Sequence, residues 1–129
     1  MVDTWQPDIE TNSITNTELA DLVTTQDVEN NLKAITAEQK QIVAGWLKLP
    51  ESQWLSALEG LNQDQLRALC EFFTLGEMQI ADWACGSNNP TIFILRRMKA
   101  LEIYPEKDFI RSLKKRTDNR YIPYGNALG

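Results

Sequence analysis

The sequence predicts an all-α fold, a compact single domain of about six to eight short helices. Three features point there. Pairs of the type Ser/Thr/Asn-x-x-Glu/Gln recur just ahead of apolar stretches: Thr15 with Glu18, Thr36 with Gln39, Asn62 with Gln65, and Thr74 with Glu77. Such a pair satisfies two otherwise orphaned N–H groups at a helix start. Apolar residues then recur at spacings of three and four, as on one helical face. Convincing two-residue alternation is absent, with Arg120-Tyr121-Ile122 as the one short exception.

Each element has its own signals. Residues 1–14 are polar and are expected to form an irregular N-terminal arm, in which only Trp5, Ile9 and Ile14 offer apolar surface. Residues 15–129 are expected to form the helical domain. Thr15 opens a helix with Leu19, Leu22 and Val23 inward. Val28, Leu32 and Ile35 mark a second. Thr36 opens a third carrying Ile42, Val43, Trp46 and Leu47, ended by Leu49-Pro50. Pro50 suits the first turn of a fourth, with Trp54, Leu55 and Leu58 inward and Gly60 as its stop. Asn62 opens a helix with Leu66, Leu69, Cys70, Phe72 and Phe73 inward, and Thr74 is expected to open another before Met78, Ile80, Ala81 and Trp83. Gly86-Ser87-Asn88-Asn89 reads as a loop, with Asn89 as N-cap and Pro90 as first helical residue of a stretch apolar at Ile92, Phe93, Leu95, Met98 and Leu101. After Tyr104-Pro105, residues 106–116 are cleanly amphipathic. Phe109, Ile110 and Leu113 share one arc, and Lys107, Arg111, Lys114 and Lys115 another. The tail 117–129 is rich in turn formers, yet Tyr121, Ile122, Pro123, Tyr124 and Leu128 are apolar enough to dock on the core or on another chain.

Composition excludes whole classes of chemistry. The 129 residues contain no histidine. A Ser–His–Asp triad, a Cys–His pair and a His-bearing zinc site are therefore closed. The only two cysteines, Cys70 and Cys85, lack C-x-x-C spacing and are expected to be reduced core residues. None of the six glycines belongs to a phosphate-binding G-x-x-x-x-G-K-[ST] or G-x-G-x-x-G loop. No Asp-x-Asp-x-Asp-Gly calcium signature occurs, so neither a metal nor a cofactor is expected. The longest aliphatic and aromatic run, Ile92-Phe93-Ile94-Leu95, is far short of a membrane span, and the first residues do not read as a signal peptide. The expected location is cytoplasmic.

Among candidate groups, Glu71, Glu77 and Asp82 lie in or beside the most apolar stretch, where a carboxylate can become a general acid. The plainer reading makes them helix caps or solvated side chains, Glu77 serving Thr74. Trp46, Trp54, Phe72, Phe73 and Trp83 fall at helix-face spacing and read as core rather than pocket lining.

Charge is strongly segregated. Residues 1–90 hold 14 Asp and Glu against four Lys and Arg, a net of −10, whereas residues 91–129 hold nine basic and four acidic residues, a net of +5. The overall −5 describes neither part. The basic set is Arg96, Arg97, Lys99, Lys107, Arg111, Lys114, Lys115, Arg116 and Arg120. It is the expected partner-binding surface, unless it faces the chain's own acidic part or water. An acidic protein surface is the favoured partner, because the −10 portion opposes approach to a nucleic acid.

The segment from Thr74 to Tyr104 places an apolar stretch, the glycine-bearing turn at Gly86 and a second stretch ending in basic residues in sequence. It loosely resembles a helix-turn-helix, with Ala81, Cys85, Ile92 and Leu95 at apolar positions of that motif. Ser87 and Asp82 depart from it, and Phe93 and Ile94 stand where polar base-reading side chains belong. The resemblance implies a nucleic-acid-binding alternative using the 75–116 region. The favoured reading is a non-enzymatic cytoplasmic interaction or regulatory module; self-association stays open beside it.

Overall fold

The computed structural model describes residues 14–24, 27–117 and 119. The expected irregular arm, apart from Ile14, and the tail beyond Asn119, including Arg120 and the Tyr121-Ile122 pair, lie outside the described residues. Ile14 is buried and belongs to the core.

Seven α-helices and no strand occur among the described residues: α1 Asn16–Leu22, α2 Val28–Ala34, α3 Ala37–Trp46, α4 Glu51–Leu58, α5 Gln63–Gln79, α6 Pro90–Ala100 and α7 Lys107–Lys115. Two 3-10 turns, Ala81–Trp83 and Gly86–Asn88, join α5 to α6. None of these helices is long and apolar enough to cross a membrane.

Local chemistry sets most boundaries. Complete capping boxes start α1 at Thr15, α3 at Thr36 and α5 at Asn62, each with its Glu or Gln partner bonded back to the cap N–H. Asp27 caps α2 by accepting from the N–H groups of Glu29 and Asn30, a start that carries no capping-box pair. Asn89 caps α6 with Pro90 following it. Gly60 takes φ +85° just past α4, the left-handed conformation that a residue without Cβ adopts freely. Pro50 sits one residue earlier than expected, as the N-cap of α4 rather than inside it.

The fourth expected box is absent. Thr74 starts no helix, because α5 runs unbroken through it from Gln63 to Gln79. Its hydroxyl instead lies 3.1 Å from that of Thr91 on α6, and Thr91 Oγ1 donates to the Cys70 carbonyl at 3.0 Å. A hydroxyl carries one proton, so Thr74 must donate to Thr91. This buried relay spans the α5–α6 contact, where unpaired hydroxyls would cost free energy.

α5 is the axis of the fold. It packs against α6, α2, α1, α7 and the first 3-10 turn, while α6 also packs on α4. Residues Phe72 to Gly76 are buried all around the helix. Around them the aromatics form the expected core. Phe73 meets Trp54 and Phe72 edge-on at 5.4 and 5.3 Å, and Trp83 tilts against both Phe rings. The indole N–H groups are satisfied by backbone: Trp54 donates to the Trp46 carbonyl and Trp83 to the Lys40 carbonyl. Three large apolar side chains remain substantially exposed among the described residues, Ile42, Met78 and Leu101.

Candidate interaction surface

The last helix shows why the basic set is split. In α7, Phe109, Ile110 and Leu113 are buried against the core. The helical repeat then places Lys107, Arg111 and Lys115, four residues apart, along the opposite side. All three are exposed and make no ion pair among the described residues. Asp108 in the first turn and Lys114 and Lys115 in the last complement the helix dipole, a local reason for part of this basicity.

The other candidate residues behave differently. Arg96 donates to Glu51 at the start of α4 at 2.9 Å. Arg116 is half-buried, bonded to Glu71 on α5 at 3.1 Å and to the Ser112 carbonyl at 3.2 Å. Lys114 donates to the Asn119 carbonyl at 2.9 Å. Lys99 is exposed, and Arg97 is half-buried with its Nε lacking an acceptor. The nine-residue set is thus not one open stripe. Arg96 and Arg116 are drawn to acidic residues on two different helices, and the open part narrows to the α7 row and the end of α6.

Part of the charge segregation therefore acts within the fold. The third ion pair runs in the reverse sense, from a base of the acidic portion to an acid of the basic one. Arg67 donates twice to Glu106, both at 3.0 Å, and its guanidinium lies 4.3 Å from the centre of the Phe109 ring. That bidentate contact holds the Glu106 carboxyl down to about 2. Each of the three pairs joins residues 39 or 45 positions apart. Pairs this accessible to screening water orient elements more than they stabilise them.

The candidate carboxylates have separate fates. Asp82 is exposed and Glu71 is engaged by Arg116. Glu77 is a connector. Its Oε2 accepts from the N–H groups of Cys85 and Gly86, both at 2.9 Å, and its Oε1 from the amides of Asn89 and Asn119, both at 2.8 Å. Burial alone would raise its pKa, but the four donors outweigh burial and hold it below the usual carboxylate range. A general acid needs the opposite shift. No local pattern marks this role, because the donors lie 8 to 42 residues away.

Both cysteines are free thiols, as expected, but only Cys70 is buried; Cys85 is half-buried at the core's edge. Desolvation raises both, Cys85 to about 12 with help from the Glu77 charge. Native protein should react with Ellman's reagent at mildly alkaline pH at least about tenfold more slowly than unfolded protein, since the thiolate is the nucleophile. Equal rates would show that neither thiol is protected.

Two open depressions of about 370 and 430 Å³ border Glu71. Their cations, Arg67 and Arg116, are already engaged by Glu106 and Glu71. Among the described residues no group of three Cys, Asp or Glu could hold a metal ion.

The helix-turn-helix register is not realised. α5 ends at Gln79, and two 3-10 turns rather than a helix and tight turn lead to α6. Phe93 and Ile94, which that register aims at a groove, are buried, as are Thr91, Ile92 and Leu95. Compared with protein-family models, curated proteins and solved structures, the chain matches none.

Proposed function

We propose that this protein is a non-enzymatic cytoplasmic interaction or regulatory module that engages an acidic protein surface through Lys107, Arg111 and Lys115. The supporting observation is the pairing state of this row. Among the described residues, three cations on one side of a helix stay exposed and outside ion pairs, while nearby Arg96 and Arg116 have acidic partners. Exposed charges of one sign steer and orient an oppositely charged partner. The burial of the first turns of α6 favours a protein partner over base reading, since side chains at 91–95 have no route to a groove.

The test uses a labelled Glu- and Asp-rich peptide and a labelled DNA duplex, each titrated at low and high salt. The peptide should bind, weaken as salt rises, and lose at least about tenfold in affinity with Lys107→Glu, Arg111→Glu and Lys115→Glu together. These exposed side chains can change without disturbing the core. Undiminished peptide binding by the triple variant would sink the proposal. Tighter binding to the duplex than to the peptide would replace it with the nucleic-acid alternative.

A further inference from the structure

We infer that this chain associates head to tail with a second copy of itself, Leu101 of one molecule seating in the groove between α1 and α3 of the next. This contact is separate from the α7 row and uses none of its residues.

The groove has an apolar floor of Leu22, Ile42, Val43 and Trp46, a polar rim of Glu18, Asp21 and Gln39, and a volume of about 150 Å³. It continues into a second depression of about 190 Å³ through the shared residues Asp21, Leu22 and Gln39. An apolar space of about 150 Å³ admits a benzene molecule, and a leucine side chain is smaller. Ile42 is 45 % exposed in it, on a helix whose neighbouring apolar residues Val43 and Trp46 are buried.

Leu101 is the matching projection. It is 44 % exposed at the C-terminal cap of α6. The exposure is built in rather than left by a frayed end. The Leu101 N–H donates to the Arg97 carbonyl, Glu102 to Lys99, and Ile103 to Met98, at 2.9–3.1 Å. Glu102 holds φ +62°, the only non-glycine residue with positive φ among the described residues. A side chain with a Cβ adopts that conformation at a cost, and such cost gathers where a segment must be presented in a set geometry. Ile103, packed on the core, anchors the turn and leaves Leu101 outward.

Charge selects the occupant. Arg97, half-buried, lies one helical turn before Leu101 and makes no ion pair among the described residues. Asp21 on the groove rim likewise makes no ion pair among the described residues, and α1 carries acidic residues and no base. The chain's own residues 1–13 suit the groove poorly, since Asp3, Asp8 and Glu10 have no base among them to offset Glu18 and Asp21. An apolar side chain beside a cation, from the same chain, answers both the floor and the rim. Because knob and groove are different surfaces, the contact is heterologous and joins copies head to tail in an open row or a closed ring. Its small area makes it weak.

The test is sedimentation velocity with light scattering, taken up to about 1 mM chain. The average mass of the wild-type protein should rise steadily above the 14.7 kDa of one chain. Ile42→Asp and Leu101→Asp should each stay at one chain with unchanged helical circular dichroism, because both side chains are exposed. Mixed in equal amounts they should form a two-chain complex and nothing larger, since one variant keeps only the knob and the other only the groove. Asp21→Lys should weaken wild-type assembly. A wild-type chain that remains at 14.7 kDa throughout, whatever fills its groove, overturns the inference. So do folded variants that assemble like the wild type, or that fail to pair with each other.

Discussion

Gly76→Ala is expected to destabilise the protein by about 2–3 kcal/mol, although alanine is the better helix former. Gly76 lies inside α5, where glycine itself costs about 0.5–1 kcal/mol relative to alanine. Packing reverses that preference. A Cβ at position 76 would come within 2.5 Å of two carbons of the Trp83 ring, with Leu32 Cδ2 behind at 3.5 Å. The ring has no room to retreat. It leans on Phe72 and Phe73, at 5.7 and 6.2 Å between centroids, and its N–H is bonded to the Lys40 carbonyl at 3.0 Å. Moving it would strain the first 3-10 turn and loosen its grip on α3. Urea denaturation should show the midpoint falling with the slope unchanged. The same substitution in a Trp83→Phe background should cost measurably less, because the clashing ring atoms are gone. An equal cost in both backgrounds would mean that the Trp83 approach is not the cause.

Glu77→Gln should cost about 3 kcal/mol and remove part of the protein's acid sensitivity. The carboxylate offers two acceptor oxygens to four donors. An amide offers one oxygen and presents N–H groups in place of the other. If that oxygen faces Cys85 and Gly86, the amide N–H groups meet the Asn89 and Asn119 amides. Neither asparagine can turn without loss. Asn89 Oδ1 already accepts from the Thr91 N–H as the cap of α6, and Asn119 Nδ2 also donates to the Gly86 carbonyl. The reverse orientation sets N–H groups against two backbone N–H groups that cannot rotate.

The pH dependence follows from the direction of the shift. The Glu77 carboxyl titrates lower in the folded chain than its usual value, so its stabilisation is complete above the unfolded pKa of about 4.3–4.5. It is lost as the pH falls through the lowered folded value. The stability gap between wild type and Glu77→Gln should therefore be widest near neutral pH and shrink below about pH 4.5. Amide hydrogen exchange at residues 85–89 should accelerate in the variant, locating the loss in the connection between α5 and α6. A gap constant from neutral to acid pH would show that the carboxylate charge plays no part.

Local pattern and tertiary setting diverge most clearly at Thr74. The pair Thr74–Glu77 has the same spacing as the three boxes that do form, yet it sits within an unbroken α5. A capping pattern reports what a residue is able to do at a helix start. It does not report whether the chain stops there. Between Asn62 and Gln79 no glycine or proline interrupts the apolar run before Gly76, and neighbours on every side make the continuous helix the better burial. The basic residues show the same division. That Lys107, Arg111 and Lys115 share one side of α7 is legible from spacing alone. That Arg96 and Arg116 are engaged, and the row is not, depends on where Glu51 and Glu71 arrive in space.

The helix starts at Thr15, Thr36, Asn62 and Asn89, the amphipathic sides of α7 and the aromatic core can be read from the chain alone, because each depends on contacts within a turn or on simple apolar spacing. The sequence also closed every route that needs histidine. Which charges are neutralised, why position 76 favours glycine, and what Glu77 holds emerge from the packing of distant segments. Those outcomes rest on groups brought together from residues 7 to 45 positions apart, and no local interaction energy selects such partners.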